Sequence, residues 1–276
     1  MEKELLTLNN ISKWFGDAQK PALVLDHIQL SVKENDFIII LGKSGCGKST
    51  LLRIIAGLIE PNEGEVLYRG EQFTSTSPRL AMVFQSHALF PWLNVLENVE
   101  LGLEALNLHP AQRRKRAIEA IDLIGLDGYE SAYPKELSGG MRQRVGFARA
   151  LVVNPDILLL DEPFSALDVL TADNIRNDLM ELWIEKRIPT KAIIMVSHNV
   201  IEAVELGSRL VILNHDPGRI LKEIDVSLIY PRDDTSHLFQ SLVDDVYTTL
   251  MKTTEAFPSL KKGEKAKVAI KMDYRL

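Results

Sequence analysis

Near the start of the chain, an all-apolar run leads directly into a glycine-rich loop and then into a helical pattern. The run is Phe37–Leu41, the loop is Gly42–Ser49, and apolar residues recur at helical spacing over Ser49–Leu58. A short, wholly apolar run is typical of a central strand buried on both faces. The loop has the pattern G-x-x-x-x-G-K-[ST], which cradles phosphates when it joins a strand to a helix. The sequence therefore predicts an α/β fold with a phosphate site at a strand end.

The residue types in this loop have separate roles. Its glycines let backbone N–H groups turn inward around a phosphate, at the positive end of the following helix. Lys48 would supply charge to the β- and γ-phosphates of a nucleotide, and the Ser49 hydroxyl would bind Mg²⁺. A glycine-rich turn without a ligand is the alternative, and the strand–loop–helix context disfavours it. Cys46 occupies a variable position of the pattern and is interpreted as a small packing residue.

Two adjacent acids follow a second apolar run, Ile157–Leu160. Asp161 is expected at the carboxyl edge of the sheet beside the loop, where a carboxylate holds Mg²⁺ through water. Glu162 stands one residue further on and is suited to polarise a water for in-line attack on a γ-phosphate. The alternative is an ordinary polar strand end, which the phosphate loop upstream disfavours.

A glutamine and a histidine follow two other short apolar runs. Gln85 comes after Ala81–Phe84, and its amide is expected to reach Mg²⁺ or the attacking water. His198 comes shortly after Ala192–Val196, where an imidazole would contact the γ-phosphate. A lone histidine at a strand end is usually structural, and a lone glutamine is weak evidence. Their company with the phosphate loop and the paired acids favours function for both.

A second anion site is predicted where Ser138-Gly139-Gly140 opens a helix. Ser138 can cap that helix, and the two glycines would leave backbone N–H groups open to an anion. The alternative is a capped helix with a flexible entrance. Because the phosphate loop already covers one face of the nucleotide, this second site would serve the γ-phosphate of a partner chain. A twofold dimer satisfies both copies at once.

Composition excludes several classes of protein. The chain has 276 residues, a formal net charge of −6 and a single cysteine. No apolar run approaches the roughly 18 residues that a membrane span needs, and the first residues lack the order of a secretion signal. One cysteine fits a reducing cytoplasm, and the acidic balance argues against nucleic acid as a partner. The basic run Arg113–Arg116 is interpreted as a solvated helix face.

The pattern of strands and helices changes along the chain. The opening third alternates short strands and turns, residues 86–155 are mostly helical, and strand–helix alternation returns after Pro155. Such alternation predicts a mainly parallel sheet with helices on both faces, into which the helical block is inserted. Beyond Asp225 the pattern weakens, and the lysine-rich residues 261–276 are interpreted as a frayed tail.

These motifs, in this order, resemble the nucleotide-binding subunit of ATP-binding-cassette (ABC) transporters over about residues 4–225. The resemblance implies a P-loop NTPase (RecA-like) core with an N-terminal antiparallel β subdomain, an inserted α-helical subdomain at about residues 86–155, and a C-terminal extension over 226–276. It makes Gly42–Thr50 the Walker A motif, Leu137–Met141 the signature motif, Ile157–Asp161 the Walker B motif and Ser165–Asp168 the D-loop. Gln85 becomes the Q-loop residue.

The same resemblance assigns the site residues. It implies that the catalytic residues are Glu162, His198 (the switch histidine) and Gln85. It implies that Mg²⁺ is bound by Ser49, Gln85 and Asp161. An aromatic residue stacks on adenine in the family, and Phe15 fits that place best, with Trp14 as runner-up. The residues assigned to ATP are Phe15, Gly42, Lys43, Ser44, Gly45, Cys46, Gly47, Lys48, Ser49, Thr50, Ser138, Gly139, Gly140 and Asp168.

Two departures from the family pattern are minor. Met141 replaces a glutamine and Asn199 replaces an aspartate, and neither change removes an essential group. Within the family, Leu89–Val99 and Asp216–Ile220 are similar to the nitrate, sulfonate and taurine importer branch. Pro231–Met251 is similar to the start of a C-terminal extension found in some of its members.

The resemblance implies an importer ATPase that binds ATP and Mg²⁺ at the cytoplasmic face of the bacterial inner membrane. Its partners would be a second copy of the chain, an integral-membrane permease docked near Gln85 and Phe90–Trp92, and indirectly a periplasmic or lipoprotein substrate-binding protein, with no nucleic acid. A soluble ABC ATPase of DNA repair or translation is the alternative from another class. The ATPase of an exporter is a closer rival, and a sensor without turnover would require the loss of Glu162 or His198.

Overall fold

The computed structural model describes residues 4–17, 19–72, 79–86 and 88–255, and elements are numbered here in chain order. The strands are β1 (Glu4–Phe15), β2 (Ala22–Lys33), β3 (Phe37–Leu41), β4 (Glu63–Tyr68), β5 (Glu71–Gln72), β6 (Leu80–Val83), β7 (Ile157–Asp161), β8 (Ala192–Ser197), β9 (Arg209–Leu213) and β10 (Ile220–Asp225). The helices are α1 (Lys48–Ile55), α2 (Val95–Glu100), α3 (Pro110–Leu123), α4 (Gly139–Leu151), α5 (Val169–Ile184), α6 (Val200–Leu206) and α7 (His237–Glu255). The basic segment 261–276 lies outside the described residues.

A six-stranded sheet in the order β10-β9-β3-β8-β7-β6 forms the centre of the fold. Its strands from β9 to β6 are parallel, and only β10 runs antiparallel to its neighbour. Strands β3, β7 and β8 are buried at every residue, as their apolar runs predict. Helices lie on both faces of this sheet. The buried apolar residues form two separate clusters against it.

A smaller antiparallel sheet, in the order β2-β1-β4-β5, packs over one side of the core. The long strands β1 and β2 form its hairpin, and the inward residues Leu6, Leu8, Ile28 and Leu30 join the same cluster as helix α1. Between β6 and β7 the described chain is helical, with α2, α3, α4 and two short 3-10 segments. The predicted fold class, a P-loop core with an antiparallel β part and a helical insert, is confirmed.

Helix bounds differ from the sequence pattern in two places. Helix α1 begins at Lys48 and ends at Ile55 rather than at Leu58, because Gly57 takes a left-handed conformation with φ of 70° and ends the helix. In the helical block, Val95, Val99, Leu103 and Leu106 recur at helical spacing, and the structure divides this stretch into α2 and a 3-10 segment at Leu101–Leu106. There the backbone of Gly102 lies so close to helix α4 that a Cβ atom would stand 2.6 Å from the Arg149 carbonyl oxygen.

Two elements near the C-terminal end escaped the sequence analysis, strand β10 and the 19-residue helix α7. Phe239, Val243 and Val246 of α7 are buried in the larger apolar cluster, against α6. Leu238 and Met251 are 71% and 68% exposed on the same helix, and such outward apolar residues blur the helical period. None of the helices in the described ranges is long and apolar enough to cross a membrane.

The pairing of β1 with β4 depends on a glycine. Strand β1 is irregular between Asn9 and Ser12, and Gly64 faces this irregularity with φ of 83°. A Cβ atom at Gly64 would lie 2.2 Å from the Asn9 carbonyl oxygen, whereas at Gly70, with φ of 82°, it would meet nothing within 4 Å. The two glycines thus share a backbone conformation and differ in their surroundings.

We expect Gly64→Ala to lower the free energy of unfolding by about 1–3 kcal/mol more than Gly70→Ala, because only the first substitution adds a clash to the backbone strain. Urea unfolding of both variants measures this difference. Equal losses would contradict the role of the close approach.

Candidate functional site

The phosphate loop, Asp161, Glu162 and His198 lie where three parallel strands end. In the register of the sheet, Leu41 of β3 pairs with Ser197 of β8, and Asp161 of β7 pairs with Val196. The loop after β3, the two acids at the end of β7 and the histidine after β8 therefore lie side by side at one edge of the sheet. Ligands of open α/β sheets bind at this carboxyl edge.

The glycine-rich loop is held closed by the lysine at its end. The ammonium of Lys48, a residue only 5% exposed, donates to the carbonyl oxygens of Gly42 at 2.7 Å and Lys43 at 2.9 Å. Gly47 has φ of 100°, and a Cβ atom there would lie 2.7 Å from the Leu25 side chain. A side chain at this position is therefore excluded both by conformation and by space.

Strand β2 and the segment after β9 support the loop from outside. Gly218 approaches so closely that a Cβ atom would lie 2.2 Å from the Cys46 carbonyl oxygen, and its N–H donates to the Val24 carbonyl at 2.9 Å. The neighbouring Arg219 donates from Nε to Asp26 of β2 at 2.6 Å. Residues 216–220, which the sequence links to one importer branch, thus brace the loop in this structure.

Cys46 faces this support rather than the solvent. Its side chain is 2% exposed, and burial raises the pKa of the thiol, an effect that the charge of Lys48 opposes. A Cβ atom added to Gly42 would lie 2.7 Å from the Cys46 sulfur. The packing role predicted for Cys46 matches this environment.

Two of the predicted magnesium ligands are in direct contact. The hydroxyl of Ser49 donates to a carboxylate oxygen of Asp161 at 2.8 Å. Within the residues that the structure describes, no group of three or more histidine, cysteine or acidic side chains is arranged to hold a metal by itself. The pair offers hard oxygen donors, which suit Mg²⁺ when phosphates and water complete the coordination.

Glu162 and His198 form a second contact at this edge. Nδ1 of His198 lies 3.2 Å from a carboxylate oxygen of Glu162, and the histidine side chain is 64% exposed. Glu162 has φ of 47°, in the left-handed region, while its N–H donates to the Val196 carbonyl at 3.1 Å. Non-glycine residues in this region cluster at functional sites, and here the conformation presents the carboxylate to the imidazole.

Gln85 is connected to the acids through a serine. Its amide donates to the Ser165 hydroxyl at 3.1 Å, and that hydroxyl donates to the Glu162 carbonyl at 3.0 Å. Ser165 opens the segment that ends at Asp168. Gln85 therefore lies where the helical block meets this edge of the sheet, as its place in the sequence predicts.

The Ser-Gly-Gly turn begins helix α4 and packs against helix α5. The Ser138 hydroxyl accepts from the Met141 N–H at 3.2 Å, the predicted cap. A Cβ atom on Gly140 would lie 2.4 Å from the Thr171 methyl carbon, so this glycine serves packing as well as the turn. Asp168 caps α5 by accepting from the Thr171 N–H at 3.0 Å, and this hydrogen bonding lowers the pKa of its carboxyl.

Phe15 lies at the end of the β1–β2 hairpin and is 42% exposed, with the Lys13 ammonium 5.3 Å from the ring centroid. It pairs with Ala22, close in sequence to Val24, whose side chain would lie 3.2 Å from a Cβ atom on Gly47. Trp14 is half-buried, and its backbone N–H donates to the side-chain oxygen of Asn62 at 3.1 Å. The more open ring is thus Phe15, the first choice from the sequence.

The sequence analysis missed Asn98, which shapes an exposed aromatic loop. Asn98 is fully buried; it accepts from the Phe90 N–H at 2.9 Å and donates to the carbonyl oxygens of Leu93 and Asn94, both at 2.9 Å. The rings of Phe90 and Trp92 in this loop contact one another with their centroids 5.3 Å apart and their planes tilted by 55°, and Trp92 is 68% exposed. The available signal was an amide on the apolar face of α2.

A large cavity lies elsewhere in the described part of the chain. It measures about 560 Å³ and opens between the end of α3 and helix α5, lined by residues that include Tyr129, Arg144 and Arg187. Both arginines are paired, Arg144 with Asp178 and Arg187 with Glu181. None of the predicted site residues lines this cavity.

Comparison with known proteins agrees with the geometry. Residues 25–165 match the family model described as "ABC transporter". An aliphatic sulfonates import ATP-binding protein, SsuB, of Bacillus thuringiensis subsp. konkukian is 43% identical over 237 residues, covering 86% of this chain and 92% of the relative. The protein of the same name from Bacillus subtilis is 40% identical over 250 residues, covering 91% of this chain and 96% of the relative.

Among solved structures, the chain is similar to the ATP-binding cassette MJ0796. Its dimeric structure in a post-hydrolysis state bound to ADP and Pi superposes with a TM-score of 0.70 at 33% identity, covering 82% of this chain and 100% of that chain. A second dimeric structure of MJ0796, described as a bacterial ABC transporter cassette, gives a TM-score of 0.70 at 34% identity.

The buried amide predicts a measurable stability effect. Asn98→Ala should lower the free energy of unfolding by about 1–3 kcal/mol, because it removes the side chain that pairs with the Phe90 N–H and the Leu93 carbonyl. Urea unfolding measures the loss, and Asn94→Ala, which removes only the cap of α2, should cost less. A stability equal to that of the unsubstituted chain would contradict this role for Asn98.

Proposed function

Because the chain belongs to the ABC transporter family, we propose that it is the ATP-hydrolysing subunit of an importer for aliphatic sulfonates or related small anions such as nitrate and taurine. The observation that carries the proposal is the meeting of the phosphate loop, Asp161, Glu162 and His198 at one sheet edge. The substrate class is carried over from the names of relatives that are 40% to 43% identical over most of the chain.

The loop supplies the binding site for the triphosphate. Its backbone N–H groups and the start of α1 attract the β-phosphate, while Phe15 offers a ring face to adenine. The Lys48 ammonium, now on two loop carbonyl groups, has donors suited to the β- and γ-phosphate oxygens. Because Lys48 begins helix α1, its charge is delivered to a fixed place.

Ser49, Asp161 and Gln85 are the proposed holders of Mg²⁺. The metal, when bound, neutralises charge that develops on the phosphate oxygens. Ser49 and Asp161 are already positioned at 2.8 Å from one another, so their oxygens face one point. Gln85 approaches from the helical block, and its link to Ser165 gives that block a contact with the catalytic edge.

Glu162 is the proposed base and His198 its partner. The carboxylate would accept a proton from the water that attacks the γ-phosphate, and the imidazole would hydrogen-bond the γ-phosphate. Their present contact of 3.2 Å keeps both groups at the strand ends. The exposure of His198 leaves its ring open to a ligand or to a partner chain.

A second copy of the chain would complete the site. The start of α4, at Ser138, Gly139 and Gly140, packs against the start of α5, which Asp168 caps. The N–H groups of this turn suit a γ-phosphate bound to the other copy. Two copies arranged head to tail make two such sites. The similar cassette MJ0796 is dimeric in both of its structures, which supports a dimer of this chain.

The proposed contact with the permease is the aromatic loop above Asn98. Phe90 and Trp92 form an exposed apolar pair next to Gln85 along the chain, and such a pair suits a short apolar helix of a membrane partner. The chain would thus act at the cytoplasmic face of the inner membrane. A substrate-binding protein would meet the permease on the other side and select the solute.

The central test of hydrolysis is Glu162→Gln, which keeps the shape of the side chain and removes the base. The ATP hydrolysis rate of the purified chain should fall by about 10²-fold or more, while ATP binding is retained and a dimer accumulates in light scattering. Glu181→Gln, the same substitution at an exposed position of α5, is the matched control. Undiminished hydrolysis in Glu162→Gln would refute the role.

The same variant tests the importer. Cells that lack this chain should lose uptake of a radiolabelled aliphatic sulfonate, and the unsubstituted chain, but not Glu162→Gln, should restore it. Loss of nitrate or taurine uptake instead would assign another solute of the same class. Normal uptake of all three without the chain would overturn the proposed import function.

A further inference from the structure

We propose that Glu202 is a positioning residue for His198: through the Ser197 hydroxyl it holds the turn that presents the histidine to the site, and Arg176 ties it to the helix that follows Asp168. The inference rests on the proposed catalytic use of His198. It assigns a role in hydrolysis to a carboxylate that touches neither nucleotide nor metal.

The turn that carries His198 is anchored on Ser197 rather than on the imidazole. Ser197, the last residue of β8, donates its hydroxyl proton to the carboxylate of Glu202. The same hydroxyl oxygen accepts from the Asn199 N–H at 3.0 Å. One hydroxyl thus fixes the backbone on both sides of His198, and Glu202 is the acceptor that orients this hydroxyl.

Glu202 is buried, unlike an ordinary glutamate on the surface of a helix. It is 7% exposed, and Ser197 is 3% exposed. Burial raises the pKa of the Glu202 carboxyl, while the Ser197 hydrogen bond and the charge of Arg176 oppose that rise. Burying a carboxylate costs free energy unless it is paired or hydrogen-bonded. The hydrogen bond from Ser197 offsets part of this cost, so it is expected to persist.

Arg176 connects this carboxylate to helix α5. Its guanidinium contacts Glu205 at 2.6 Å and Asp173 at 3.1 Å, and its Nε lies 3.9 Å from Glu202, within ion-pair range and without a hydrogen bond. Its guanidinium also lies 5.9 Å from the centroid of the Phe164 ring. Arg176 therefore joins the helix after Asp168 to the helix after His198.

These groups line one cleft. It has a volume of about 180 Å³, and its lining includes Glu162, Ser165, Arg176, His198 and Glu202. A shift of helix α5 would reach His198 through Arg176, Glu202 and Ser197 in turn. The nucleotide-facing histidine is thus supported from behind by a chain of polar contacts that begins on α5.

Glu205 provides a natural control for this inference. Glu205 lies closer to Arg176 than Glu202 does, at 2.6 Å against 3.9 Å, but its carboxylate does not accept a hydrogen bond from Ser197. If Glu202 mattered only as a counter-charge for Arg176, removing Glu205 would have a similar effect on hydrolysis. If Glu202 acts on Ser197, the two variants differ.

The test compares kcat and ATP affinity in the full-length chain. Glu202→Ala and Ser197→Ala should each lower kcat by about tenfold to a hundredfold, since small misplacement of a catalytic group has effects of this size. The Kd for ATP should stay within about threefold, because neither residue lies in the phosphate loop. The double variant should be no slower than the slower single variant, since both act through one contact.

Conservative variants separate positioning from folding. Glu202→Gln keeps an acceptor for the Ser197 hydroxyl and Ser197→Thr keeps the hydroxyl, so both should retain kcat within about threefold. Glu205→Ala should also retain it. If Glu202→Ala fails to fold, the Ser197 pair of variants gives the same comparison.

His198→Ala distinguishes failure of this inference from failure of the proposed function. Loss of hydrolysis in His198→Ala with normal kcat in Ser197→Ala and Glu202→Ala would overturn the positioning role alone. Normal hydrolysis in His198→Ala would overturn the role of the histidine and with it the inference. Equal losses of kcat in Glu202→Ala and Glu205→Ala would likewise overturn it, in favour of Arg176 pairing.

Discussion

The parallel register of β3, β8 and β7 determines where every proposed catalytic group stands. Leu41 is level with Ser197, and Asp161 is level with Val196, so the segments that follow leave the sheet at one edge. A slip of one residue in either pairing would turn the side chains to opposite faces. The apolar strands fix that register because they are buried at every position, and the hydrogen bond between Ser49 and Asp161 follows from it.

Around this edge, glycines allow the backbone to pack closely against neighbouring segments. Gly47, Gly218 and Gly140 each lie where an added Cβ would meet another atom at 2.7 Å or less. They bring the loop onto β2, brace it from behind and seat α4 on α5. The site is thus held by packing of main chain against main chain and side chain, with Lys48 closing the loop from within.

Much of this could be predicted from the sequence because the motifs are local. The phosphate loop, the acids after Ile157–Leu160 and the cap at Ser138 each depend on neighbours within one strand–turn–helix unit. Asn98 was not found because its partners lie in an irregular loop, and Arg176 was not found because tertiary structure brings Glu205 to it. Glu202 lies within one strand–turn–helix unit with Ser197, but no motif in the sequence marks that pair. Helix α7 was missed because its exposed Leu238 and Met251 blur the apolar period that Phe239 and Val243 create. The assignment of individual residues to ATP and Mg²⁺ stays a prediction.

One chain provides only half of each proposed nucleotide site, and a second copy provides the other half. Site-specific cross-linking tests this most directly, with Ser44→Cys in one tagged copy and Ser138→Cys in another, both in a Cys46→Ser background. Ser44 and Ser138 are exposed, so both thiols are open to a short cross-linker. We expect a cross-link between copies that appears with ATP and is lost when Lys48→Ala is added to the Ser44→Cys copy. A link that forms only within a single chain carrying both cysteines, or none between copies with ATP, would contradict the shared site.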